Sequence, residues 1–209
     1  MTRRTAAVAT AIVGLSAIPL LAGALRVIEL AGGPELIPTD TRFAASPWPV
    51  VAHVVGAAVY LIAGAFQFVP ALRRRGWHRR AGRVLVVAGL TVALSALWMT
   101  LLFARKDGTG ELLYLERLLF GTGLVTCLAL GVAAIRRRDV AQHRAWMIRA
   151  YALALGAGTQ AFTQGFGAAA FGLGVWRTDL YLGAGWLINL AVAEWLIGHR
   201  VARPRAALA

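Results

Sequence analysis

Charged residues are missing from six long stretches of this 209-residue chain, and their absence is its most informative feature. A transmembrane helix needs about 20 apolar residues to cross the hydrocarbon core. Five of the stretches reach or approach that length, and the sixth does so once Glu194 and the apolar residues after it are included. The pattern excludes a soluble domain and predicts a polytopic membrane protein. The stretches are Thr5–Leu25, Phe43–Leu72, Val84–Ala104, Leu118–Ile135, Ala150–Trp176 and Leu180–Ala193.

Cysteine and acidic residues are also scarce. The single cysteine, Cys127, lies in the fourth stretch, so an intrachain disulfide is excluded and a small packing residue is expected. The sequence shows no Ser-His-Asp combination, metal-ligand spacing or phosphate-binding loop. It therefore predicts no metal site and names no catalytic residue, and whether the chain is an enzyme stays open.

Basic residues are abundant and give a net charge of +13. In a soluble protein that charge would indicate nucleic acid. Here it is divided into short clusters between apolar stretches, as the positive-inside rule describes. The expected partners are therefore the lipid bilayer and anionic lipids at its cytoplasmic face, and not nucleic acid.

The positions of these clusters predict a topology. Sixteen of the 22 basic residues precede the first stretch or follow the second, fourth or sixth. Assigning that side to the cytoplasm gives an all-α, six-span bundle in a bacterial inner membrane, with both termini inside. The sixteen residues are Arg3, Arg4, Arg73, Arg74, Arg75, Arg79, Arg80, Arg83, Arg136, Arg137, Arg138, Arg144, Arg149, Arg200, Arg203 and Arg205.

The bundle is expected to be one domain over residues 1–209. The first stretch is longer than the 7–15 apolar residues of a signal peptide. We interpret it as an uncleaved span, with a cleaved signal as the alternative. The six spans are expected at about 5–28, 50–70, 84–104, 113–135, 148–170 and 179–198.

Two histidines suggest one class of function. His78 and His143 lie at the cytoplasmic starts of the third and fifth spans. If those helices pack together, the imidazoles could face each other as ligands of a b-type haem. Trp146 and Met147 follow His143 on the same helix face and would wall the cofactor pocket. Contact of the histidines with lipid headgroups, or a structural role for them, is the alternative.

Arginines near the cytoplasmic face suggest a second class, a non-catalytic binder or transporter of anionic lipid or of a small molecule. Glu194 lies about one turn inside the sixth span and is expected to neutralise Arg83 or Arg149. The expected headgroup contacts are Arg79, Arg83, Arg144 and Arg149.

Polar residues inside the membrane are costly and are candidate functional groups. His53 and Glu116 lie near the outer ends of the second and fourth spans, where they would form either a proton relay or a structural pair. Arg117 and Glu194 are further relay candidates. Deeper amides, including Gln160, Gln164 and Asn189, would line a polar path or join helices by hydrogen bonds.

Several short motifs together resemble the bacterial membrane protein family known as domain of unknown function 2306. The resemblance covers about spans two to five. It implies a multi-span membrane protein, supplies no established activity, and implies that the three histidines within it are motif positions. The motif residues are His53, Gly56, Gly64, Phe66-Gln67-Phe68, Arg73, His78-Arg79, Gly82-Arg83, His143-Arg144, Trp146-Met147 and Arg149.

The predicted orientation places the hairpin tips near Arg74 and Arg137 inside the cell. A membrane-impermeant reagent added to intact cells should therefore fail to label reporter residues at these tips, and it should label them after the membrane is opened. Labelling from outside would reverse the topology.

Overall fold

The computed structural model describes residues 3–69 and 76–201, and seven α-helices lie in that part of the chain. Two short 3₁₀ turns, Thr41–Phe43 and Phe66–Phe68, precede and follow the second helix. Arg73, Arg74, Arg75, Arg203 and Arg205, which the topology prediction used, lie outside the described residues. The helices are α1 (Arg3–Leu30), α2 (Trp48–Ala65), α3 (Trp77–Leu102), α4 (Glu111–Arg136), α5 (Val140–Ala154), α6 (Gly156–Phe171) and α7 (Val175–Val201).

Five of the helices in the described part of the chain are long and apolar enough to cross a membrane. The predicted all-α membrane protein with several spanning helices is therefore confirmed. Helix α3 begins at Trp77, before the predicted span start at residue 84, and the arginines in its first turns are good helix formers. The five candidate spans are Thr10–Leu30, Trp48–Phe68, Trp77–Leu102, Glu111–Arg136 and Val175–His199.

The segment expected as one fifth span, residues 148–170, is divided between α5 and α6 at Leu155. The Gly158 N–H donates to the Leu155 carbonyl, which tightens the turn at the break. Gly156 faces the indole of Trp186 on α7, where a β-carbon would overlap the ring. Glycine weakens a helix, and here the close contact requires it. Apolar content alone does not reveal this break.

Helices that follow one another in the chain pack side by side around one core. Helix α3 lies between α2 and α4, α5 packs on α4, and α6 packs on α7, while α7 also contacts α4 and α5. The Tyr151 hydroxyl donates to the Leu61 carbonyl at 2.6 Å, and its ring lies 5.7 Å from that of Tyr60. These buried contacts join α5 to α2 at the centre of the bundle.

The outer surface of the helices carries many large apolar side chains, among them Val87, Leu119 and Phe166. A soluble monomer rarely exposes such an extended apolar surface, whereas acyl chains cover it in a bilayer. Trp48 and Trp176, 77% and 63% exposed, begin α2 and α7. Their position at helix ends is typical of aromatic residues at a membrane interface.

Helix α6 approaches α1 so closely that a methyl group at Gly158 would overlap the Leu15 carbonyl oxygen. We expect G158A to lower the free energy of unfolding by about 1–3 kcal/mol, because backbone has to move. A methyl group at Gly165 on the same helix would meet nothing within 4 Å. G165A should therefore leave stability unchanged or raise it by up to about 1 kcal/mol. Thermal unfolding in detergent measures both, and equal effects would contradict the α1–α6 contact.

Candidate functional site

Helix α4 ends, and α3 and α5 begin, at one end of the bundle, which we call the basic end. Arg79 and Arg83 are exposed in the first turns of α3, and Arg136 and Arg137 are exposed where α4 finishes. Arg144, in the first turns of α5, is half-buried and has its own interactions. The basic end therefore presents a dense set of guanidinium groups to its surroundings.

A tight turn brings α4 and α5 together at this end. Arg138 adopts a left-handed conformation with φ of 63°, uncommon for a residue with a side chain. Its N–H donates to the Ile135 carbonyl and that of Asp139 to the Ala134 carbonyl, a Schellman ending of α4. The Asp139 side chain then accepts from the Gln142 N–H at 2.9 Å and caps α5. The sequence Arg-Arg-Asp thus ends one helix and starts the next.

The two histidines of the haem hypothesis lie on helices that make little contact with each other. Helices α3 and α5 each pack on α4 instead. His78 is half-buried in the first turn of α3, while His143 Nδ1 donates to the Gly131 carbonyl of α4 at 2.8 Å. The packing of α3 against α5, on which the hypothesis depends, is not the arrangement observed. Haem binding stays a prediction.

Trp146 and Met147, the expected walls of that cofactor pocket, pack against the core. Both lie against Gly131 of α4, where a β-carbon would overlap the methionine methyl group. The Arg149 guanidinium lies over the Trp146 ring at 4.7 Å from its centroid. These side chains fill the α4–α5 interface.

Arg149 and Glu194 form a bidentate ion pair between α5 and α7. Arg149 Nε and Nη2 donate to the two carboxylate oxygens at 2.5 and 2.8 Å. The expectation that Glu194 neutralises Arg83 or Arg149 is therefore met by Arg149. The pair leaves Arg149 less available for headgroups than the exposed Arg79 and Arg83, and a relay role for Glu194 stays a prediction.

A groove between α3 and α4 opens towards the basic end, and the sequence interpretation did not identify it. Its cavity volume is about 530 Å³. The signal available in the sequence was the small pair Ala129 and Ala133, four residues apart, followed by arginines at the helix end. Apolar side chains line its length and two arginines its end: Val86, Leu90, Leu128, Ala129, Val132, Ala133, Arg136 and Arg137.

At the opposite end of the bundle, where α3 ends and α4 begins, the structure does not join His53 to Glu116. His53 Nδ1 lies 3.1 Å from both the Val92 carbonyl, to which it donates, and the Ser95 hydroxyl on α3. The Glu116 carboxyl lies against Gly183 of α7. Each residue therefore faces a different helix, and the proposed relay stays a prediction.

One oxygen of the Glu116 carboxyl has no hydrogen-bond partner among the described residues. This atom, Oε2, is buried. The neighbouring residue Arg117 is half-buried and lines a small cavity between α3, α4 and the loops beside them. The two relay candidates on α4 therefore face different surroundings.

Asp179 is a buried charged residue that the sequence analysis did not name as a site residue. It lies in the short segment between two apolar stretches, which was interpreted as an outer loop. It is 1% exposed at the start of α7. Its carboxylate accepts from the Gly110 N–H at 3.0 and 3.1 Å and from the Leu113 N–H at 3.1 Å. The amides at a helix start lack partners within the helix and favour negative charge. Asp179 thus caps α4 from another helix.

The deep amides join helices around the α5–α6 break. Thr159 donates to the Asn189 side-chain oxygen at 2.7 Å, and the Asn189 amide donates to the Ala152 carbonyl at 3.2 Å. The Gln160 amide donates to the Leu182 carbonyl at 2.9 Å. Gln164 takes no part in these bonds. Of the two interpretations of these residues, hydrogen bonding between helices describes Gln160 and Asn189.

The cap on α4 can be tested by substituting Asp179. D179L should lower the free energy of unfolding by about 2–3 kcal/mol, because it leaves buried amides without an acceptor. D179N keeps one acceptor oxygen and should cost less. D107N, in the exposed loop before α4, removes the same charge and should leave thermal unfolding unchanged. An equally small effect of D179L and D107N would contradict the role of this contact.

Comparisons with known proteins support the membrane assignment. Neither the search of curated proteins nor that of solved structures found a match. A family model described as "Predicted membrane protein (DUF2306)" matches residues 50–197, which begin in α2 and end in α7. The matched range includes the basic end, the α3–α4 groove and Asp179. The chain therefore belongs to the predicted membrane protein family DUF2306.

Proposed function

We propose that this multi-pass membrane protein binds an anionic phospholipid at its basic end. An acyl chain lies in the groove between α3 and α4, and the phosphate contacts Arg136 and Arg137. The observation that carries the proposal is the groove itself, which combines an apolar length with two guanidinium groups at one end. That order of apolar and cationic surface matches the order of tail and headgroup in a phospholipid.

The size of the groove supports this assignment. Its volume of about 530 Å³ falls within the 300–1,000 Å³ typical of small-molecule sites. Val86 and Leu90 form one wall, and Ala129 and Ala133 leave room on the other. A narrow apolar channel between two helices suits a flexible hydrocarbon chain better than a rigid polar ligand.

Charge supports the anionic headgroup. Guanidinium groups form paired hydrogen bonds with phosphate oxygens, and a basic residue near an anionic membrane surface contributes about 1 kcal/mol. Arg136 and Arg137 are exposed at the end of α4, and Arg83 is exposed on α3. The proposal keeps the predicted headgroup role of Arg79 and Arg83, adds Arg136 and Arg137, and gives Arg149 a structural role in its pair with Glu194.

The proposal includes a topology of six crossings. Helices α5 and α6 follow one another with a single break at Leu155. We propose that together they form one crossing, the fifth in chain order, which makes six with the five long helices. The basic end then faces the cytoplasm of a bacterial cell, where the positive-inside rule places arginine clusters. The protein is accordingly placed in the inner membrane.

The site is tested by removing the co-purified lipid, adding a defined phospholipid and measuring how much of it stays bound. Native mass spectrometry of detergent-purified protein should show phosphatidylglycerol retained more strongly than phosphatidylcholine. The double variant R136Q/R137Q should weaken phosphatidylglycerol binding on the order of 100-fold, since each arginine loses a direct hydrogen bond to the phosphate worth about 1.5 kcal/mol. A129F, which fills the groove, should weaken both lipids.

Arg138 provides the matched control, because it is exposed beside Arg137 but does not line the groove. R138Q removes one positive charge, as the single variants R136Q and R137Q do. It should change the retention of phosphatidylglycerol little. If R138Q weakens binding as much as R137Q, and A129F has no effect, the attraction is diffuse charge at the basic end and the groove is not a lipid site.

A further inference from the structure

Three arginines from separate parts of the chain line one small cavity at the opposite end of the bundle. Arg42 follows α1 in the 3₁₀ turn before α2, Arg105 lies in the loop after α3, and Arg117 lies in α4. We propose that this cavity binds a small inorganic anion of halide size. The site is distinct from the lipid groove, which lies at the basic end.

Two of the three guanidinium groups already have carboxylate partners. Arg42 donates to the Asp40 carboxylate at 2.5 and 2.7 Å, and Arg105 pairs with Glu111 and lies over the Tyr114 ring. The hydrogen bond from Arg42 holds the pKa of Asp40 below its ordinary value, so that this carboxyl stays ionised at neutral pH. Arg42 is therefore held at the cavity wall by a largely buried pair, and Arg105 lies at the wall in an exposed one.

Arg117 is different, because its guanidinium forms no hydrogen bond or ion pair with any residue in the described ranges 3–69 and 76–201. Asp179 attracts it from a distance and Arg42 repels it, but the Asp179 oxygens already accept from the backbone amides of Gly110 and Leu113. The Glu116 carboxyl lies against α7. A half-buried guanidinium with five N–H donors therefore lacks an acceptor among the residues that the structure describes.

The dimensions restrict what supplies that acceptor. The cavity volume is about 20 Å³, and about 10–15 Å³ on this measure holds one water molecule. The cavity is partly open to its surroundings, so a small anion such as a halide can lie in it with part of its surface outside. An anion is favoured over neutral water, because it adds Coulomb attraction to the Arg117 guanidinium beyond the hydrogen bond that either ligand accepts.

Thermal unfolding in phospholipid-free, non-ionic detergent tests the site, with sodium chloride compared with sodium gluconate at equal ionic strength. A ligand that binds only the folded state raises Tm, and chloride at about ten times its Kd should raise it by about 3–6 °C. R117Q should lose this difference, and R117K, which keeps the charge, should keep part of it. Lys106 lies beside Arg105 in the exposed loop after α3 but does not line the cavity. K106Q removes its charge and should respond to chloride like the native protein.

Equal Tm values for the native protein in the two salts would overturn the proposal, whether or not R117Q folds. An R117Q variant that still responds fully to chloride would overturn it as well. Added phosphatidylglycerol separates a lipid phosphate from a free anion: a response to that lipid with no response to chloride would replace the halide site by a headgroup contact.

Discussion

The hydrocarbon interior offers no hydrogen-bond partner, and this constraint governs the whole molecule. Backbone groups are satisfied within helices, and three of the polar side chains find backbone partners on neighbouring helices. Tyr151 reaches the Leu61 carbonyl, Asn189 the Ala152 carbonyl and Gln160 the Leu182 carbonyl. Because van der Waals packing and such bonds replace the hydrophobic effect between helices in lipid, these few contacts fix which helices are neighbours.

Close packing supplies the rest of the specificity, and it depends on residues without side chains. Gly158 lets α6 pack closely against the α1 backbone. At the α5–α6 break, the absence of a side chain at Gly156 leaves room for the Trp186 ring. The break exposes backbone groups that would be costly in lipid, and Asn189 occupies the carbonyl of Ala152 just before it. The irregular segment is thus tolerated because α7 covers it with a polar side chain and an aromatic ring.

Hydropathy and charge predicted the helices because they depend on composition over about 20 residues. The Arg149–Glu194 pair was also within reach, since both residues lie at matching depths in neighbouring spans. The α5–α6 break, the Asp179 cap and the α3–α4 groove were not, because each depends on which helix faces which. The haem hypothesis needed α3 against α5, and α4 packs against both. A sequence without its contact map cannot supply that fact.

The arginines at the two ends of the bundle differ in whether carboxylates neutralise them, so the two ends differ in charge. At the opposite end, Arg26 pairs with Glu29, Arg42 with Asp40 and Arg105 with Glu111. At the basic end Glu194 is occupied by Arg149 and Asp139 by the start of α5, while arginines of α3 and α4 remain exposed. The chain carries a net charge of +13, and like charges repel one another unless anions outside the protein compensate them. Under the proposed function, lipid bound in the apolar groove would place its anionic headgroup among the exposed arginines and so compensate their charge at short distance.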